Sequence, residues 1–132
     1  MTAHDLKPLS SDASSESNIL HVSGDISDES SISSSIQEAV SHFGPLNILA
    51  ANAGITDEAS DPSIWDLDLE TWETVYRVNV RGTFLTIKHF LRAAKKAQEG
   101  ASELENLAIV VTGSECGKFG QAGHAEYASG ML

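Results

Sequence analysis

Positive charge is scarce in this chain. Its 132 residues carry 8 lysines and arginines against 19 aspartates and glutamates, a formal net charge of −11. A protein this acidic is repelled by nucleic-acid phosphates and by anionic membrane surfaces, so neither is expected as a partner. Cysteine is nearly absent as well. Cys116 stands alone, which rules out an internal disulfide and suits a reducing compartment. No apolar run approaches the roughly 20 residues that span a bilayer. Met1–Pro8 lacks the basic-then-apolar pattern of a secretory signal. His21, His42, His89 and His124 have no ligand-like spacing, so no metal site is expected. These absences lead to the expectation of a soluble, cytoplasmic protein of one domain. No internal repeat is found.

What the chain does contain is an alternation of element types. Ser10–Asn18 is serine and acid with little to bury and reads as a flexible lead-in or surface loop, so residues 1–18 are taken as a flexible lead-in and 19–132 as the folded domain. Ile19–Val22 is a short apolar run ended by Gly24-Asp25, a strand signal. Ser27 or Asp28 can cap a helix from about Asp28 to Phe43, because short polar oxygens accept the free amides of a first turn. Ile32, Ile36, Ala39, Val40 and Phe43 form its apolar stripe, and Gly44-Pro45 stops it. Leu46–Ala51 is continuously apolar, as suits a parallel strand covered on both faces. A loop from Gly54 holds Asp57, Glu58, Asp61 and Trp65. Asp68 then caps one long helix from about Leu69 to Gln98, with Trp72, Val75, Val78, Phe84, Ile87, Leu91 and Ala94 on one face. Gly82 lies inside it, where it permits close packing or a bend. Gly100–Asn106 is a polar turn and Leu107–Thr112 a third strand. Gly113–His124 is a glycine-rich loop, and Ala125–Leu132 begins another helix.

Strand, helix, strand, long helix, strand is the pattern of an α/β fold with an open parallel sheet, here about three strands and two main helices. Ligands of such sheets sit outside the carboxyl ends of the strands. Asp25, the turn Asn52-Ala53-Gly54 and Ser114 each follow a strand and would gather at that edge. Taken singly they are weaker evidence. Asp25 serves as readily as a turn or capping residue, and Asn52 reads more naturally as a tie between strands than as a catalytic group.

Ser114 and Tyr127 lie thirteen positions apart after the third strand. With Gly24-Asp25, Asn52-Ala53-Gly54 and Asn79 in Val78-Asn79-Val80, they resemble, in order and spacing, the central part of the classical short-chain dehydrogenase/reductase family. The resemblance implies an incomplete Rossmann-like, doubly wound domain. It also implies an NAD(P)-dependent oxidoreductase moving a hydride between an alcohol and a ketone. Asn79, Ser114 and Tyr127 would then be the catalytic residues. Asn79 holds a relay water, Ser114 orients the substrate oxygen and Tyr127 is the acid–base. Asp25, Asn52, Ala53 and Gly54 would be the cofactor-binding residues. The family pairs its long helix with a copy, which implies a homo-oligomer built on the helix at residues 69–98.

The chemistry accounts for these residue types and for a defect. A tyrosine hydroxyl, near pKa 10 when unperturbed, works as an acid–base only beside positive charge. The family supplies a lysine four residues after the tyrosine. Here that position is Met131, with no charge and no donor. The family's first strand, its glycine-rich phosphate loop, the next helix and most of the second strand are expected to have no counterpart before Ile19, and nothing follows the start of the tyrosine helix. Thr112–Gly120 imitates a phosphate loop, but its last glycine comes one position late and too little chain follows for a βαβ unit. The chain as it stands is therefore expected to lack activity. The alternative is a non-catalytic remnant acting through contacts with a full-length relative. The family orders its strands 3-2-1-4-5-6-7. Without its neighbours, the strand at Ile19–Val22 is expected to slide against Leu46–Ala51 or lie unpaired.

Overall fold

The computed structural model describes residues 1–5, 18–56, 62–100 and 106–131. Most of the expected lead-in, the loop residues Asp57, Glu58 and Asp61, and residues 101–105 of the expected polar turn lie outside the described residues.

The first element corrects two expectations. Thr2–Asp5 is a strand, β1, within the stretch read as a flexible lead-in. It pairs in parallel with β2, Leu20–Ser23, in the register Thr2 to Leu20 through Asp5 to Ser23. The Met1 ammonium donates to the Asn18 carbonyl at 2.6 Å and the Leu20 amide to the Met1 carbonyl at 2.8 Å, extending the join. So β2 neither lies unpaired nor slides against the next strand. A local partner satisfies its backbone, and leaving those groups bare would cost free energy at every buried one. Four residues are too few to show the alternation by which a strand is read from sequence.

Helix α1, Glu29–Phe43, begins where expected. The Asp28 carboxylate accepts from the Ser30 and Ser31 amides, and Gly44 closes the helix at φ 81°. Ile32, Ser35 and Ala39 are its buried face. β3, Ile48–Ala51, and β4, Ala108–Val111, pair in parallel with Ile48 opposite Ala108 and Ala51 opposite Val111. The expected cover on both faces of β3 is not found. Ile48, Ala50, Ala108 and Val110 share the alternate face and are exposed, Ile48 by 70%. Leu49, Ala51 and Ile109 are the better buried set, on the side where the long helix meets β3. Among the described residues, then, the four strands make two separate pairs, β1–β2 and β3–β4.

The expected single long helix is three segments. α2 covers Leu69–Tyr76, a π-helical stretch covers Arg77–Gly82, and α3 covers Thr83–Glu99. Asp68 caps α2 through the Thr71 amide at 2.8 Å. The wider turn rotates everything beyond it. Leu85, Phe90 and Ala94 are buried on α3, whereas Phe84 and Leu91, assigned to the buried face by an uninterrupted helical period, are 59% and 43% exposed. Gly82 meets the turn after β2 so closely that a Cβ there would lie 2.9 Å from Ile26 Cγ1. α1 packs on α3 and α3 on β3, and the core of Ile26, Ile32, Ala39, Ala51, Val75, Leu85, Phe90 and Ala94 sits there. The glycine-rich loop contains a short helix α4, Cys116–Phe119, and α5, Ala125–Gly130, packs against α2 and α4. Among the described residues no helix is long and apolar enough to cross a membrane.

Candidate active site

A cleft of about 350 Å³ opens at the carboxyl ends of β3 and β4. Its walls are the stretch from Asn52 to Thr56, Thr112-Gly113, Tyr127 and Met131. Asn52 extends the strand pair beyond its last rung. Its Oδ1 accepts from Thr112 Oγ1 at 2.8 Å, next to the Thr112 amide donating to the Ala51 carbonyl at 2.9 Å. This is the structural tie that a strand-end asparagine suggested.

Behind the cleft, Asn79 is 5% exposed and sits within the π-helical stretch. Its Oδ1 accepts from the Ile55 amide and its Nδ2 donates to the Ile55 carbonyl, both at 2.8 Å. The side chain therefore pins the loop after β3 to the long helix. Its own carbonyl accepts from Thr83 Oγ1 at 2.7 Å. π-Helical turns inside α-helices recur at functional sites, where the altered ladder frees or redirects backbone groups.

Met131 reaches into this corner. A Cβ on Gly54 would lie 3.4 Å from Met131 Cε and 3.5 Å from Asn79 Oδ1, so glycine lets the loop, the methionine methyl and the asparagine meet. An apolar, donorless side chain thus occupies the wall beside Tyr127. Ser114 stands just past Gly113 but does not line the cleft. Its Oγ accepts from the Cys116 amide at 3.3 Å and helps open α4.

The site residues named from sequence are thus partly assembled. Asn52, Ala53, Gly54 and Tyr127 share the cleft, Asn79 backs it, Ser114 lies next to it, and Asp25 stays outside. The Asp25 carboxylate accepts from the Ser27 hydroxyl at 2.7 Å and the Ser27 amide at 2.8 Å. These two bonds, the hydroxyl's first, hold it below the ordinary carboxylate value. Sequence reasoning missed a cluster beside Tyr127. His124 Nδ1 lies 3.4 Å from Thr56 Oγ1 and 3.8 Å from Glu126 Oε1, and Glu126 is 1% exposed. The only trace of it in the sequence is the adjacency of His124, Glu126 and Tyr127.

A nicotinamide dinucleotide also needs a bed for its pyrophosphate, amides at a helix N-terminus. The N-termini of α1 and α2 are each filled by a carboxylate, Asp28 on Ser30 and Ser31 and Asp68 on Thr71. Among the described residues, these two helix ends are already occupied by their own caps. Among the described residues, too, no group of three histidine, cysteine or acidic side chains could hold a metal ion.

Comparisons with known proteins agree on kinship. The family model described as short chain dehydrogenase matches residues 2–130. The chain is 34% identical over 83% of its length to a cis-4-hydroxycyclohexanecarboxylate dehydrogenase of Sinomonas cyclohexanicum, of which it spans 41%. It is 38% identical over 80% of its length to an inactive 2-(S)-hydroxypropyl-CoM dehydrogenase of Xanthobacter autotrophicus, spanning 42% of it. A 3-ketoacyl-(acyl-carrier-protein) reductase from Brucella melitensis, solved with NADH, superposes with a TM-score of 0.76 at 25% identity. That match covers 88% of this chain and 46% of that one. A second short-chain dehydrogenase/reductase from Brucella melitensis superposes with a TM-score of 0.82 at 22% identity, over 98% of this chain and 52% of that one. The chain thus spans about half, or less, of the proteins it matches.

Proposed function

Because this chain belongs to the short-chain dehydrogenase family, we propose that its cleft is the substrate end of an NAD(P)-dependent alcohol or ketone oxidoreductase, and that the 132-residue chain does not turn over by itself. In this reading Tyr127 is the acid–base at the substrate oxygen, Ser114 orients that oxygen, and Asn79 holds the relay. Asp25 and the Asn52-Ala53-Gly54 turn belong to the cofactor side, and the cytoplasm is the setting. The observation that carries the reading is Met131. It lines the cleft beside Tyr127 and against Gly54, where the family places an ammonium. The methionine side chain offers the cleft neither a charge nor a hydrogen-bond donor in its place.

The test is a titration of the chain with NADH and NADPH by fluorescence, then ketone-reduction assays of wild type and Met131→Lys. Neither cofactor should bind at micromolar concentration, and neither protein should turn over, since the lysine alone restores no pyrophosphate bed. Micromolar binding, or turnover by the point variant, would overturn the reading.

A second reading rests on a separate surface. The outer side of α2 and α3 carries an open groove of about 560 Å³ lined by Trp72, Tyr76, Val80 and Phe84 with Arg77 and Arg81. Trp72 and Tyr76 stack in it at 4.6 Å between centroids. In this reading the chain is a non-catalytic partner that joins a copy of itself or a full-length relative along this helix. Sedimentation velocity of the chain, alone and mixed with a full-length short-chain dehydrogenase, tests it. A monomer in both cases removes it.

A further inference from the structure

A buried carboxyl is ordinarily paired, hydrogen-bonded or bound to a metal ion. Glu126 is 1% exposed and, among the described residues, neither of its carboxyl oxygens accepts a hydrogen bond. Its Oε1 faces His124 Nδ1 at 3.8 Å, too far for a hydrogen bond. The same ring nitrogen lies 3.4 Å from Thr56 Oγ1, longer than most hydrogen bonds of that kind. A carboxylate, an imidazole and a hydroxyl thus converge without closing on one another. All three are side chains that bind metal ions.

The local fold makes this arrangement. His124 is the N-cap of α5, and its side chain makes no cap bond to that helix. Glu126 stands two positions on, in the first turn, and α5 packs against α2 and α4. Thr56 belongs to the loop after β3, 68 positions from His124. No spacing along the chain records that meeting, which is why the histidines showed no ligand pattern in the sequence.

The separations suit a single ion. Zinc binds imidazole nitrogen at about 2.0–2.1 Å and oxygen at about 2.0–2.2 Å. Two atoms held at those lengths stand about 3.4 Å apart at the tetrahedral angle, and about 3.8 Å apart when it opens to roughly 130°. The distances from His124 Nδ1, 3.4 Å to Thr56 Oγ1 and 3.8 Å to Glu126 Oε1, match both. A set that includes imidazole suits a zinc-class ion better than magnesium or calcium, which take oxygen sets. The chain's charge of −11 attracts cations. Thr56 lines the cleft, which gives the ion a way in.

We propose that His124, Glu126 and Thr56 form a binding site for one divalent ion of the zinc class, with its fourth position open to water or to an oxygen ligand from the cleft. The set has two strong ligands and a hydroxyl, one short of three histidine, cysteine or acidic side chains. The site stands on these three side chains and does not depend on the oxidoreductase reading.

Equilibrium dialysis with zinc, cobalt(II) absorption and the ring-nitrogen resonances of the histidines test it on the chain without cofactor. One zinc ion should bind with a Kd below about 100 µM. It should displace cobalt(II) from a coloured complex, move the His124 resonance and slow amide exchange at Ala125–Gly130. Glu126→Gln keeps the side-chain shape and should weaken binding about tenfold or more, since loss of even an outer partner of a metal site costs that much. Thr56→Val should weaken it in the same direction. His42→Gln, at an exposed histidine elsewhere, should leave it unchanged. The His124 resonance reads the site in the wild type, so the test survives a variant that fails to fold. No binding below about 100 µM, or a His124 resonance that zinc does not move, would overturn the proposal. So would equal affinity in Glu126→Gln, or equal weakening by His42→Gln.

Discussion

Glu126 is 1% exposed, and among the described residues neither of its carboxyl oxygens accepts a hydrogen bond; His124 Nδ1 lies 3.8 Å from Oε1. Burying a polar side chain without hydrogen-bond partners costs free energy, and replacing such groups with apolar ones of similar size is often stabilising. Glu126→Met should therefore stabilise α5 on its seat by roughly 1–3 kcal/mol. Hydrogen exchange checks this: amides of Ala125–Gly130 should exchange more slowly, and faster exchange would mean that the carboxylate is doing a job the apolar side chain cannot. The exposed acids behave differently. The Asp28 and Asp68 carboxyls are held below the ordinary value by Ser30 and Thr71, and that of Glu29 by Lys88 and then His89. A lowered folded value contributes stability that is whole above the unfolded value and fades as pH falls through the folded one. With unfolded values of 3.8 and 4.5, the far-UV helix signal should hold steady down to about pH 5 and decline below about pH 4. A decline already complete at about pH 5 would place the acid sensitivity in other groups. At this scale the sequence showed which residues bear chemistry but not what occupies them. Met131 was legible from its distance to Tyr127 alone. The clasp of Asn79 on Ile55, 24 positions away, was not, because no local pattern records a tertiary hydrogen bond.

Helix α1 was legible almost to its ends, since cap, stripe and stop agree, and β3 and β4 fall inside the runs read as strands. What escaped was whatever lacks a period of its own. β1 and α4 are four residues each, and the π-helical stretch at Arg77–Gly82 has no composition that marks it. That one widened turn changed which side chains of α3 face inward. The same stretch contains a tight helix-to-turn approach, Gly82 on Ile26. In an ordinary exposed helix Gly→Ala stabilises by about 1 kcal/mol. Here the new methyl would stand 2.9 Å from one Ile26 carbon and 3.0 Å from another, on a residue 9% exposed. Crowding of this kind costs roughly 1–3 kcal/mol and should win. Gly82→Ala should speed amide exchange at Ile26, Ser27 and the first turn of α3. Slower exchange there would show that the turn after β2 yields at no cost.

The whole molecule has a covered side and an uncovered one. α1 and α3 shield one side of the strands, while Ile48 and Val110 on the other side, and Phe84 and Phe119 elsewhere, are each more than half exposed. Among the described residues, β1 and β3 each have one strand neighbour, so their other edges add unpaired backbone to that surface. The isolated chain should accordingly bind a hydrophobic dye and unfold without a sharp thermal transition. A cooperative melt of the monomer above about 55 °C, an ordinary midpoint for a complete domain, would show that the core at Phe90 and Val75 suffices. The parallel sheet was legible as a class, but its division into two pairs was not, since the sequence says which segments are strands and only the folded backbone says which of them touch. The bare face of β3 and β4 also bears on how long the chain lasts in a cell. Chaperones and proteases sort polypeptides by displayed apolar surface and loose backbone, and Ile48 and Val110 display it even when the chain is folded.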